Sequence, residues 1–196
     1  MKGIKILDER ELGTRPSWDE YFMKMAIDAS SRSSCKHVQA GAVIVKDNQT
    51  IATGYNGVPK RIKDNCLEIG CRKELKGLKY EESLDSGECY GVHAEMNALR
   101  HITKNIKEFT LYTTIFPCHK CAKELVSYEV GRIIFKSTYS EKEVHGTFEF
   151  LTESNVEICE LDLSPERVYD IDFNRPKVFF AVWSSDEQKR ILRKLL

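Results

Sequence analysis

The second half of the chain constrains the fold most tightly. β-rich runs at 110–116, 132–137 and 156–161 alternate with helical patterns at 117–128 and 142–154, and Gly131 stands just past the first of those helices. Strand–helix–strand–helix–strand is the signature of an α/β layered fold with parallel strand pairs. Upstream, Ser17 followed by Glu20 reads as a capping box. Phe22, Met25, Ala26 and Ala29 continue at helical spacing, which predicts an amphipathic helix over 18–33. Runs at 42–45 and 50–52, with Asp47 and Asn48 as turn formers between them, predict a hairpin that Gly54-Tyr55-Asn56-Gly57 closes. The stretch 60–90 has no period, and a loop of that length in a compact domain is functional or held by something.

Two short motifs give this scaffold a chemistry. His93-Ala94-Glu95 precedes Pro117-Cys118-His119-Lys120-Cys121, and both open predicted helices. Each half alone is weak, because CxxC also serves redox and structural zinc sites and a single histidine is usually packed or solvated. In this order they match the H-x-E…P-C-x-x-C pattern of zinc nucleobase deaminases. Pro117 suits a first helical position, and Cys118 and Cys121 fall on one face of the helix. His93, Cys118 and Cys121 would leave zinc a fourth position for water, whose pKa falls to about 7 at such sites. Glu95, two residues from a ligand, is then the candidate general acid/base that moves the water's proton to ring N3 and on to the departing amine.

Seven cysteines are many for a 196-residue chain with no signal peptide or apolar run of membrane length. The expected compartment is cytoplasmic, where thiols serve metals more often than disulfides. Setting aside Cys118, Cys121 and Cys159, a strand residue, leaves Cys35, Cys66, Cys71 and Cys89 around the irregular stretch. Four thiolates could close a structural zinc site and order a loop without a core of its own, although only Cys66 and Cys71 are near in sequence. Four incidental buried thiols are the plainer alternative.

Lysine plus arginine equal aspartate plus glutamate at 30 each, so no overall basic field points to nucleic acid. A tRNA or single-stranded nucleic-acid deaminase would need such a face. A non-enzymatic zinc module binding nucleic acid would leave Glu95 without a role. A nucleotide monophosphate needs only a few donors, and Arg32, Lys36 and His37, or Lys60 and Arg61, are candidates. The expected divisions are a leader at 1–16, a deaminase domain at 17–161 with a Cys-rich insert at about 60–92, and an extension at 162–196 that ends in a short amphipathic helix.

The chain resembles deoxycytidylate (dCMP) deaminases of the cytidine-deaminase superfamily, especially the bacterial, late-competence-operon type. The resemblance rests on 17–23, Gly41-Ala42-Val43-Ile44-Val45, Gly54-Tyr55-Asn56-Gly57, Asn65-Cys66-Leu67-Glu68, His93-Ala94-Glu95-Met96-Asn97-Ala98 and the Pro117–Lys123 run. It implies a three-layer fold with a mixed five-stranded sheet flanked by helices. It also implies hydrolysis of dCMP to dUMP and ammonia for thymidylate synthesis, a homo-oligomer that is often a hexamer, and dCTP and dTTP as effectors. It places Asn56 near the sugar hydroxyl and Tyr139 beside the nucleotide. Members with cysteines at 35, 66, 71 and 89 resemble carriers of a second, structural zinc.

Overall fold

Strand β1 (Gly41–Lys46) is buried on both faces, with Ala42 and Ile44 in one core and Val43 and Val45 in another. An apolar run without polar alternation is what a central, doubly covered strand requires. A two-residue turn joins it antiparallel to β2 (Gln49–Tyr55), and there Asp47 and Asn48 take left-handed angles of φ 51° and 57°. Aspartate and asparagine are the side chains that tolerate this turn best. On its other side β1 pairs antiparallel with β3 (Phe109–Ile115). Parallel pairing then adds β4 (Val130–Ser137) and β5 (Glu157–Glu160), giving the mixed order β2-β1-β3-β4-β5. Helices α5 (His119–Ser127) and α6 (Glu141–Glu153) are the two crossovers. This computed structural model describes residues 16–79, 87–102, 106–138 and 141–161, plus a short antiparallel pair, Val168–Tyr169 with Val178–Phe179.

Helices cover both faces, so the three layers implied by the resemblance are present. Helix α1 (Trp18–Ser30) packs Phe22, Met23 and Ala26 against Val43, Val45, Tyr112 and Ile134. On the other face α4 (Ala94–Leu99), α5 and α6 enclose Ala42, Ile44, Leu111 and Ile133. Asp19 ties the layers together. It takes two hydrogen bonds from the Arg132 guanidinium at 3.0 and 3.2 Å and one from the Tyr112 hydroxyl at 2.7 Å. Burial first, and the Asp19 bond second, hold the Tyr112 phenol protonated far above its usual range. Asp19→Ala leaves the Tyr112 hydroxyl without this acceptor and Arg132 with Glu157 and Cys159, and is expected to cost about 1.5–2 kcal/mol, the lower part of the range for charged hydrogen bonds because the pair is a third exposed. Urea unfolding checks this, and a midpoint equal to wild type would contradict it.

Several boundaries differ from the sequence expectation. Helix α1 stops at Ser30, where Ser30 and Ser31 hydroxyls donate back to the Ile27 and Asp28 carbonyls at 2.6 and 2.7 Å and compete with further helix. Cys118 is the N-cap of α5, so Pro117 stands before the cap and not at the first helical position. Glu129, at φ 59°, takes the left-handed position after α5, and Gly131 lies inside β4. The irregular stretch contains two short helices, α2 (Cys66–Ile69) and α3 (Arg72–Leu75). Tyr139, residues 1–15 of the leader and the expected C-terminal helix lie outside the described residues. No helix among the described residues is long and apolar enough to cross a membrane.

Candidate active site

The two sequence motifs meet at the ends of two helices. His93 caps α4 and Cys118 caps α5, both with extended backbone (ψ 154° and 162°) and neither using its side chain on the helix. Those side chains are therefore free to converge. The His93 Nδ1 atom lies 3.4 Å from the Cys118 Sγ and 3.4 Å from the Cys121 Sγ, and all three atoms lie within 4.8 Å of one another. Tetrahedral zinc with ordinary Zn–N and Zn–S bonds sets its nitrogen and sulfur ligands about 3.6 Å apart. The trio fits that requirement. Cys118 is pushed down to about 4, first by the hydrogen bond from Cys121 and against its burial, with His93 adding to it. The pair therefore favours the thiolate form of Cys118, the form a cation binds.

Glu95, in the first turn of α4 two residues from His93, is buried at 5% exposure. Burial pushes its carboxyl up to about 7, opposed in part by His93. A carboxyl poised there exchanges a proton near neutral pH, and a nearby dication would draw it lower. The position of α4 is set from beneath by Gly54 of β2, where a Cβ would run into the backbone of Ala94 and Ala98. The motif Gly54-Tyr55-Asn56-Gly57 looked like a loop closure, so sequence reasoning missed this support. Asn97 adds to it by donating to the Tyr55 carbonyl at 2.8 Å.

Asn56 stands at the end of β2. Its Oδ1 accepts from the Ala40 N–H and its Nδ2 donates to the Val38 carbonyl, both at 2.8 Å. These bonds fasten the segment before β1, and one N–H and one lone pair remain for a ligand. A groove lined by Trp18, Lys46, Glu108 and Arg132 lies at the opposite end of the sheet. Its cations are already engaged, Arg132 by Asp19 and Lys46 by the Glu108 carbonyl at 2.9 Å.

Cys35, Cys66, Cys71 and Cys89 gather at one corner. The Cys66 thiol is pushed up by burial first and then by the charges of Cys35, Cys71 and Cys89. Among the described residues, however, the second tight trio of ligand atoms is His37, Cys71 and Glu74. Glu74 also holds two of the side chains considered for phosphate, His37 at 3.0 Å and Lys36 at 3.3 Å.

Residues 16–137 match the family model for the cytidine and deoxycytidylate deaminase zinc-binding region. Deoxycytidylate deaminase of Saccharomyces cerevisiae is 34% identical over 83% of this chain and 52% of its own length. That of Mycobacterium phage D29 is 36% identical over 62% of this chain and 96% of its own. This chain therefore spans about half the length of the yeast relative and nearly all of the phage one. A solved dCMP deaminase from cyanophage S-TIM5, in complex with dCMP and dUMP, superposes with a TM-score of 0.60 at 26% identity, covering 75% of this chain and 98% of that one. With the motif pair, the three-layer sheet and the ligand trio in agreement, the chain belongs to the cytidine and deoxycytidylate deaminase zinc-binding family.

Proposed function

We propose that the chain is a zinc-dependent hydrolase that converts dCMP to dUMP and ammonia. The observation that carries this reading is the ligand trio His93, Cys118 and Cys121 beside a buried acidic group that is not itself a ligand. When bound by that trio, zinc acidifies a water molecule for attack at a cytosine C4. Glu95 takes the proton that the attacking water gives up, places it on ring N3, and later delivers a proton to the departing amino group. Its burial keeps that proton from bulk solvent between transfers. Cys118 and Cys121 hold and make no bonds to substrate. The free N–H and lone pair of Asn56 suit a sugar hydroxyl, and Tyr139 is proposed beside the nucleotide. Homo-oligomers, dCTP and dTTP as effectors, and a cytoplasmic setting belong to the same reading. A deamination screen across cytosine, cytidine, deoxycytidine, CMP, dCMP, dCTP and tRNA tests it, and activity on tRNA without activity on dCMP would overturn it.

The second zinc belongs to this proposal too, on Cys35, Cys66, Cys71 and Cys89. The electrostatic coupling of Cys66 to the other three supports it. Metal analysis of pure protein is expected to return close to two equivalents of zinc. Cys66→Ser or Cys71→Ser should lose one equivalent and unfold at lower temperature, because a structural metal contributes folding free energy. One equivalent in wild type, unchanged in both variants, would remove the four-cysteine site.

A further inference from the structure

The corner described above carries a guanidinium that the deaminase chemistry has not used. A capping box at Asn65 and Glu68 starts α2, and Gly70 at φ 89° ends it by donating to the Cys66 carbonyl. The chain then turns at Cys71 and sends Arg72 back over Cys66, which accepts from the Arg72 backbone N–H. The Arg72 side chain ends 4.4 Å from the centroid of the Tyr90 ring, and its Nε is buried with no hydrogen-bond acceptor among the described residues. The nearest acidic side chain of α3, Glu74, is taken by Lys36 and His37. A half-buried cation that rests on an aromatic face, with an unsatisfied edge, is an incomplete arrangement, since guanidinium edges are built for bidentate anions.

Its platform is fixed relative to the chemistry. Tyr90 lies three residues before the ligand His93, and the segment between is pinned by the Gly57–Val92 bridge, with hydrogen bonds of 2.8 and 3.1 Å. The same bridge joins it to Asn56, the neighbour of Gly57. Three residues of extended chain span at most about 10 Å, which a nucleotide and an arginine side chain bridge between them.

We infer that Arg72, held on the Tyr90 ring, binds the 5′-phosphate of the nucleotide and so makes the site select a monophosphate over its nucleoside. This rests on the proposed deaminase function and adds the specificity-determining residue. Arg72→Gln removes the charge, and Arg72→Lys keeps charge without the fork. The ratio of kcat/KM for dCMP over deoxycytidine should fall roughly 10- to 100-fold in Arg72→Gln, the worth of one charge-assisted contact, and less in Arg72→Lys. Calorimetric binding of dUMP against deoxyuridine to the zinc-loaded protein should show the same loss of preference, and it reads the inference independently of turnover. A ratio and a binding preference that do not move in Arg72→Gln, or an equal fall for both ligands accompanied by lost zinc, would overturn it. A wild-type protein that fails to deaminate dCMP yet binds dUMP through Arg72 would instead reject the reaction and keep the phosphate site.

Discussion

Glu95→Gln is expected to lower kcat on dCMP by at least ~10²-fold, a typical size for losing a general acid/base, while zinc and dUMP stay bound. The substitution is close to isosteric, so a side chain that is 5% exposed and packed in α4 can be replaced without opening a cavity. What changes is proton chemistry alone. Burial has already pushed the carboxyl up to about 7, so it gives and takes a proton near neutral pH, and an amide does neither. His93→Ala should behave differently, because the imidazole is one of three ligand atoms gathered within 4.8 Å. Zinc itself should be lost there, and activity with it. Metal analysis, dUMP binding and turnover on the two variants separate the roles. Near-normal turnover in Glu95→Gln with zinc in place would sink the proposed mechanism.

The contrast between those two variants was legible in the sequence because the ligand spacing is local. His93 and Glu95 share one helix start, and Cys118 and Cys121 share another, so 3.6-residue geometry alone aims each pair. The alternation after residue 109 likewise dictated parallel neighbours, and β3, β4 and β5 pair that way. What stayed hidden depends on contacts distant in sequence. Nothing in Gly54-Tyr55-Asn56-Gly57 announces that Gly54 is the seat of α4, since that contact joins residues 40 and more apart. The same is true of Asp19 reaching Arg132 across 113 positions, and of Glu74 claiming Lys36 and His37. Helix ends were misjudged where a side chain outbid the backbone, as Ser30 and Ser31 do in α1. The Cys-rich corner was visible as a count of thiols, whereas His37 entering the Cys71–Glu74 trio needed the fold.

dCMP should exceed deoxycytidine in kcat/KM by at least ~10²-fold, since one charge-assisted contact is worth roughly 1.5–3 kcal/mol and two are expected. The 30 basic and 30 acidic side chains leave no net field to collect polyanions. Several cations among the described residues are engaged elsewhere. Lys36 and His37 face Glu74, Lys107 faces Glu129 at 2.6 Å, and Arg132 is held by Asp19 and Glu157. A site that must recognise two negative charges with so few donors has to place them well, which favours a small ligand over a long nucleic acid. Arg72 supplies one fork, and Lys60 and Arg61, exposed just beyond Gly57, are the candidates for a second donor. Because these contacts are charge-assisted, the advantage of dCMP should shrink as salt rises while deoxycytidine turnover stays level. Steady-state kinetics on both substrates at two ionic strengths measures this directly. Equal efficiency on the nucleoside would place the chain with deaminases of free cytidine, and the phosphate reading would fall with it.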